Sequence, residues 1–269
     1  MRNFYYFSLI FLSVSVFSCK SDTKSETENV KSKASLQLIF NQKVGDDVFV
    51  MDEYKYHADA GYDYKIVTLR FFTSEFVLYD TSGNNFQLDT FHYREADEPH
   101  AYTAEMVLSD MISPDTYDGI SFLHGLDETY NKPISPMDTP SLPNNVNEYR
   151  DMYWPWQEQG QFHYMKYEGF YAAGQDTFAF KLHSGPTKGN QNYIKIDKLD
   201  FPSTTINAGD TLVVELIMDV DKWVNNDIVY DFKKYGSGIM DNQEAQDILK
   251  SNGKSVYSVG KVYVKKNGN

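Results

Sequence analysis

The pattern of apolar and polar positions divides the chain into three stretches. From Phe4 to Phe17 the residues are apolar apart from an Asn-free scatter of Ser8, Ser13 and Ser15, and Arg2 is the lone charge ahead of them. Such a run is too short for a permanent bilayer-spanning helix and matches the core of a signal peptide. Residues 20–35 (KSDTKSETENVKSKAS) hold one large apolar residue, Val30. They cannot bury enough surface to offset the entropy of ordering.

From Leu36 onward, short apolar runs are bounded by Gly, Asp, Asn and Pro, the punctuation of strands and turns. Strands are expected over 36–40, 64–72, 76–79, 102–108, 120–123, 162–168, 177–183, 193–199 and 211–218. Strict alternation in 178–183 points Phe178, Phe180 and Leu182 toward a core that Tyr117, Ile120 and Phe122 should share. Helical signals come late: one turn over Asp221–Asn226 around Trp223, and a helix over Asp241–Lys250 with Asn252-Gly253 as its stop. About nine strands without alternating helices predict a mainly β fold. The expected form is an antiparallel β-sandwich with long loops and one or two short C-terminal helices, a single domain over residues 36–264. Asn131–Asp151, with Pro133, Pro136, Pro140 and Pro143, should be a long loop.

Charge and cysteine content narrow the function. The chain of 269 residues has 25 Lys and Arg against 38 Asp and Glu, a formal charge of −13. That field repels nucleic acid and anionic membrane surfaces, so no nucleic-acid partner is expected. A single cysteine excludes an internal disulfide framework, CxxC redox chemistry and a thiolate zinc cage. That residue, Cys19, ends the sequence Val16-Phe17-Ser18-Cys19, which resembles a bacterial lipobox. Residues 1–18 are then a lipoprotein signal peptide, and 19–35 a lipidated cysteine with a disordered tether. No aspartate follows where it would resemble an inner-membrane retention signal, so the expected location is the cell envelope, lipid-anchored at the outer membrane. Its periplasmic or surface face stays open.

Candidate chemistry centres on Asp151-Met152-Tyr153-Trp154-Pro155-Trp156, which holds two of the 3 tryptophans. Two Trp flanking a proline share one side of an extended chain. They suit either a buried aromatic plug or a binding surface, in which Tyr153, Trp154 and Trp156 form a platform for a glycan or a protein. Of the six histidines, His57, His92, His100, His124, His163 and His183, none falls in an HExxH, HxH or cysteine–histidine motif. His163 and His183 lie on consecutive expected strands. Hairpin pairing of those strands would bring the two imidazoles to one end of a sheet, but register is not legible in sequence. Each histidine taken singly reads as an ordinary half-buried residue. Asp219-Val220-Asp221 begins like a calcium loop but has Trp223 where an oxygen ligand is needed. Gly236-Ser237-Gly238 is no nucleophile elbow. Nothing in the sequence compels an enzyme.

The ordered segments Leu36–Asn41, Ile66–Leu78, Tyr117–Phe122, Gly125–Asp127, Met152–Trp156, Tyr167–Gly169, Phe178–Gly185 and Ile239–Asp241 resemble one family, the MbnP-like copper-binding proteins of the bacterial envelope. The resemblance implies a β-sandwich and a mononuclear copper site without catalysis. It also implies ligation by histidine and by a tryptophan that a partner di-haem, peroxidase-like enzyme opens oxidatively to kynurenine. Trp154 is the carry-over for the modified residue, and His183, in a His-x-Gly motif, for an imidazole ligand. Some copper-binding members have a histidine two residues after the modified tryptophan, where this chain has Trp156. His163 is the candidate to replace it as a third ligand.

Overall fold

In the computed structural model, which describes residues 33–96, 103–132, 149–154 and 161–266, the apolar runs become strands of two facing sheets and of a separate two-stranded hairpin, Tyr153–Trp154 with Gln161–Phe162. In chain order these are β1 (Ala34–Val44), β2 (Asp47–Val48), β3 (Tyr56–Ala58), β4 (Tyr62–Asp80), β5 (Asn85–Glu95), β6 (Thr103–Ile112) and β7 (Thr116–His124). There follow β8 (Tyr153–Trp154), β9 (Gln161–Phe162), β10 (Met165–Ala173), β11 (Asp176–Ser184), β12 (Ile194–Thr205) and β13 (Thr211–Asp219). The chain ends in α1 (Phe232–Tyr235), α2 (Gln243–Gly253) and β14 (Tyr257–Lys265). Cys19, the tether up to residue 32 and Trp156 lie outside the described residues.

The first sheet runs β14-β13-β1-β2, with β6 also paired to β1. The second runs β11-β10-β4-β7-β12, with β3 and β5 also paired to β4. Pairing is antiparallel except between β1 and β13, which run parallel from Ser35 opposite Thr211 to Lys43 opposite Asp219. Strands β2 to β12 form the crossover between those two strands, as a parallel pair requires. Leu36, Leu38 and Phe40 of the first sheet are buried against Leu69, Phe71, Phe76 and Leu78 of the second. Phe40 meets Phe76 edge-on at 6.3 Å and Phe122 meets Tyr257 at 4.9 Å, so aromatic rings interlock the layers.

The expected mainly β sandwich with short C-terminal helices is the observed architecture, with several local corrections. Tyr117, Ile120, Phe122, Phe180 and Leu182 are core residues, but Phe178 is 47% exposed. The alternation is intact there, yet Asp176 to Ala179 are all exposed, because the turn end of the β10–β11 hairpin projects beyond the layer that covers Phe180. Phe178 stacks only on Tyr171, at 5.6 Å. The runs 64–72 and 76–79 form one strand of 19 residues, bent at Glu75, whose φ of 52° coincides with a register shift against β5. Conversely the run 162–168 is broken, and β9 and β10 are separated by His163 and Tyr164. Pairing begins at buried Ala34 rather than Leu36, and β14 continues to Lys265.

α2 starts as its composition dictates: Asn242 is the cap, its side chain accepting from the Ala245 N–H at 3.2 Å. Its buried face carries Ala245, Gln246, Ile248 and Leu249. Asn252 and Gly253 end the helix inside the core, where the Asn252 amide donates to the carbonyls of Trp223 and Ile228.

Candidate metal centre

The β10–β11 hairpin sets Lys166 opposite His183 and Glu168 opposite Lys181. Tyr167 and Leu182 between them point into the core, so period-two alternation leaves His183, Lys166, Glu168 and Lys181 on the outer face of the second sheet. A diagonal hydrogen bond joins the two strands there. The His183 Nε2–H donates to Glu168 Oε1 at 2.6 Å.

A second hairpin lies against this face. Tyr153 pairs with Phe162 and Trp154 with Gln161. Asn131, buried, clamps β9: its side chain donates to the Phe162 carbonyl at 3.0 Å and accepts from the Phe162 N–H at 2.8 Å. Beneath sits a separate apolar cluster of Phe72, Leu126, Met152, Phe162 and Tyr164. The chain departs from strand geometry at His163, and the Met152 carbonyl takes up both of its nitrogen donors, the main-chain N–H at 2.7 Å and Nδ1–H at 3.0 Å. Arg70 pairs with Asp151 at 2.8 Å and fastens the preceding turn to β4.

These two hairpins bring three of the sequence candidates together. The His163 ring lies edge-on to Trp154 at 5.0 Å and 78°, and edge-on to His183 at 4.8 Å and 74°. His163 is 1% exposed, and Trp154 and His183 are half-buried. Burial holds both imidazoles below the ordinary histidine pKa, chiefly by desolvation and, at His163, by the neighbouring His183 as well. Glu168 is held below the usual carboxylate range, first by its bond from His183. Burial thus favours the neutral form of both rings, with tautomers assigned by their partners. His163 carries its proton on Nδ1, leaving the Nε2 lone pair buried and without a hydrogen-bond partner. His183 carries its proton on Nε2, leaving Nδ1 as its lone-pair nitrogen.

Beside them is a pocket of about 280 Å³, walled by Trp154, Lys181 and His183 on one side and by Ser237 to Asp241 on the other. Met240 is part of this wall. Gln246 of α2 ties the walls together, donating to the His183 carbonyl at 2.7 Å and to the Ile239 carbonyl at 3.2 Å. Among the described residues, no trio of His, Cys, Asp and Glu is disposed to hold a metal ion. A metal here would need a donor of another kind beside the imidazoles, and Trp154 after modification or Met240 would supply it.

Among the described residues, the remaining histidines do not join this site. His57 pairs with Asp63 on the surface, His92 stacks on Phe40 at 4.5 Å, and His124 bonds Tyr257 in the core. His100 and Trp156 lie outside the described residues. Tyr153 packs on Phe162 at 5.5 Å, so that ring is committed to the hairpin's own packing. Glu168, Met240 and Gln246 were not legible as site residues, because each arrives through pairing or packing across distant segments.

Fold and site define the class: a β-sandwich bearing two histidines and a tryptophan outside one of its sheets. The chain belongs to the MbnP family, whose model matches residues 33–241, and the resemblance read from the ordered segments holds. The chain is similar in structure to MbnP from Methylosinus trichosporium, with 14% identity, 85% of this chain and 98% of that chain covered, and a TM-score of 0.48. A comparison with curated proteins finds no match.

Proposed function

We propose that this protein binds copper at the cell envelope, serving copper acquisition or handling and not catalysis, and that a lipid on Cys19 anchors it to the outer membrane. The observation that carries the reading is the convergence of Trp154 and His183 on the ring of His163, whose buried Nε2 has no hydrogen-bond partner. A buried lone pair without a donor costs about 1–3 kcal/mol, a cost that a bound cation removes. His163 and His183 would hold the ion, with Trp154 completing the set once opened to kynurenine. That modification would cleave the indole C2–C3 bond with a peroxide or dioxygen co-substrate of the partner as oxidant and release C2 as formate, exposing an aniline nitrogen and a carbonyl oxygen as donors beside imidazole. A di-haem, peroxidase-like partner would carry out the oxidation. Met240, a residue of the pocket wall, would add a soft thioether donor of the kind that favours Cu(I). An aromatic platform for a glycan or protein draws less support, since Trp154 leans on His163 and Tyr153 on Phe162.

Intact-mass and metal analysis of the protein purified from its own host tests the reading. The expected result is one tryptophan converted to kynurenine at position 154, one equivalent of copper, and an N-terminus lipidated at residue 19. Unmodified Trp154 together with no stoichiometric copper would overturn the copper site.

A further inference from the structure

We infer that Glu168 is a positioning residue of this site: its carboxylate takes the Nε2–H of His183 and thereby commits that histidine to bind metal through Nδ1. The inference rests on the copper reading above and goes beyond it by assigning which atom ligates and what holds it.

The bond between Glu168 Oε1 and His183 Nε2 is 2.6 Å long, in the range of a charge-assisted hydrogen bond. It is also sterically specified. Glu168 and His183 are not directly opposed across the hairpin: their opposite neighbours are Lys181 and Lys166. Pairing of β10 with β11 runs unbroken from Met165 to Ala173 and sets this diagonal, while the register shift against β4 between Glu168 and Gly169 leaves Val67 of β4 as the extra residue. A side chain at 169 is impossible without rearrangement, since a Cβ there would lie 2.0 Å from the Lys65 carbonyl oxygen and 2.6 Å from the Phe180 ring.

An ionised carboxylate can only accept, so while Glu168 is engaged Nε2 stays protonated and Nδ1 keeps the lone pair. His163 is held in the opposite tautomer, by the Met152 carbonyl on its Nδ1. The two rings, 4.8 Å apart, therefore present unlike nitrogens: Nε2 from His163 and Nδ1 from His183. A carboxylate behind a metal-binding imidazole fixes its orientation and raises its basicity, and losing such a partner lowers metal affinity by about 10- to 100-fold.

The test uses the mature protein and its Glu168→Leu and Glu168→Gln variants from the same host, with Cu(I) supplied in competition with a chromogenic chelator. Imidazole 15N chemical shifts are recorded before and after loading, and thermal melts check that each variant is folded. In the wild type, metal-free His183 should be the Nε2–H tautomer, and Cu(I) should move its Nδ1 resonance. Glu168→Leu should lose about 10- to 100-fold in Cu(I) affinity and its tautomer preference, and Glu168→Gln, whose carbonyl still accepts, should lose less. Wild-type affinity in both folded variants, or Cu(I) moving Nε2 of His183, would overturn the role of Glu168 while leaving the copper site standing. Wild-type protein that takes up no Cu(I) would instead overturn the copper reading, and this inference with it.

Discussion

The side-chain amide of Gln246 donates to the main-chain carbonyl of His183 at 2.7 Å, tying α2 to the strand that carries one wall of the site. The same side chain reaches the Ile239 carbonyl and accepts from the Gly185 N–H at 3.3 Å. One glutamine thus satisfies three buried main-chain groups on two segments that must face each other for the pocket to exist. Gln246→Ala should destabilise the protein by about 1–3 kcal/mol through these orphaned groups. Denaturant titration gives the stability change, and amide exchange at Gly185 should accelerate. An unchanged exchange rate would mean that the segment is held from elsewhere.

Gly185 controls the space available to Met240. A Cβ at 185 would lie 2.9 Å from Met240 Cε and 3.4 Å from His163 Cα. The methionine tip is flexible and can swing away, so Gly185→Ala should fold with a stability loss under about 1 kcal/mol. Displacing the thioether should still weaken Cu(I) binding by roughly tenfold, with little change for Cu(II). Parallel titrations with the two ions decide the matter, and equal losses for both would place Met240 outside the ligand set.

His124 makes stability depend on pH. Full burial lowers its pKa from 6.5 to about 3 by desolvation. The folded chain therefore holds this ring neutral where the unfolded chain protonates it. Its contribution is complete above about pH 6.5 and falls as pH drops toward about 3, by about 1.4 kcal/mol per pH unit across that window. Urea titrations at several pH values should show His124→Gln with a shallower acid-side slope than the wild type. Parallel slopes would show that His124 titrates alike in both states.

Phe180 and Phe178 alternate on one strand and face the same way, but only Phe180 is covered, stacking on Phe232 at 4.2 Å and 12°. Phe180→Ala should cost about 3–5 kcal/mol, and Phe178→Ala less than about 1 kcal/mol. Thermal melts of the two variants should separate clearly. Similar losses would mean that the turn end of the hairpin is buried in solution.

Much of this protein could be read from its residues because the signals are local. The apolar run Leu36–Phe40, alternation in Phe178–His183, turn residues between runs, and the capped start of α2 each act within a few positions, and sandwich, strands and helix follow from them. Trp154, His163 and His183 could likewise be named as candidates from residue type and order. Their meeting was decided elsewhere. His183 faces its neighbours because Lys166 and not Met165 stands opposite it, and a shift of one residue would turn it into the core. His163 is buried because Asn131 clamps β9 and the chain breaks there instead of continuing as a strand. Glu168 and Met240 lie in segments that resemble the family, but their roles, like that of Gln246, come from contacts that only pairing and packing create. Local propensity determines which segments become strands, whereas register and packing, summed over the whole sandwich, decide which side chains share a site.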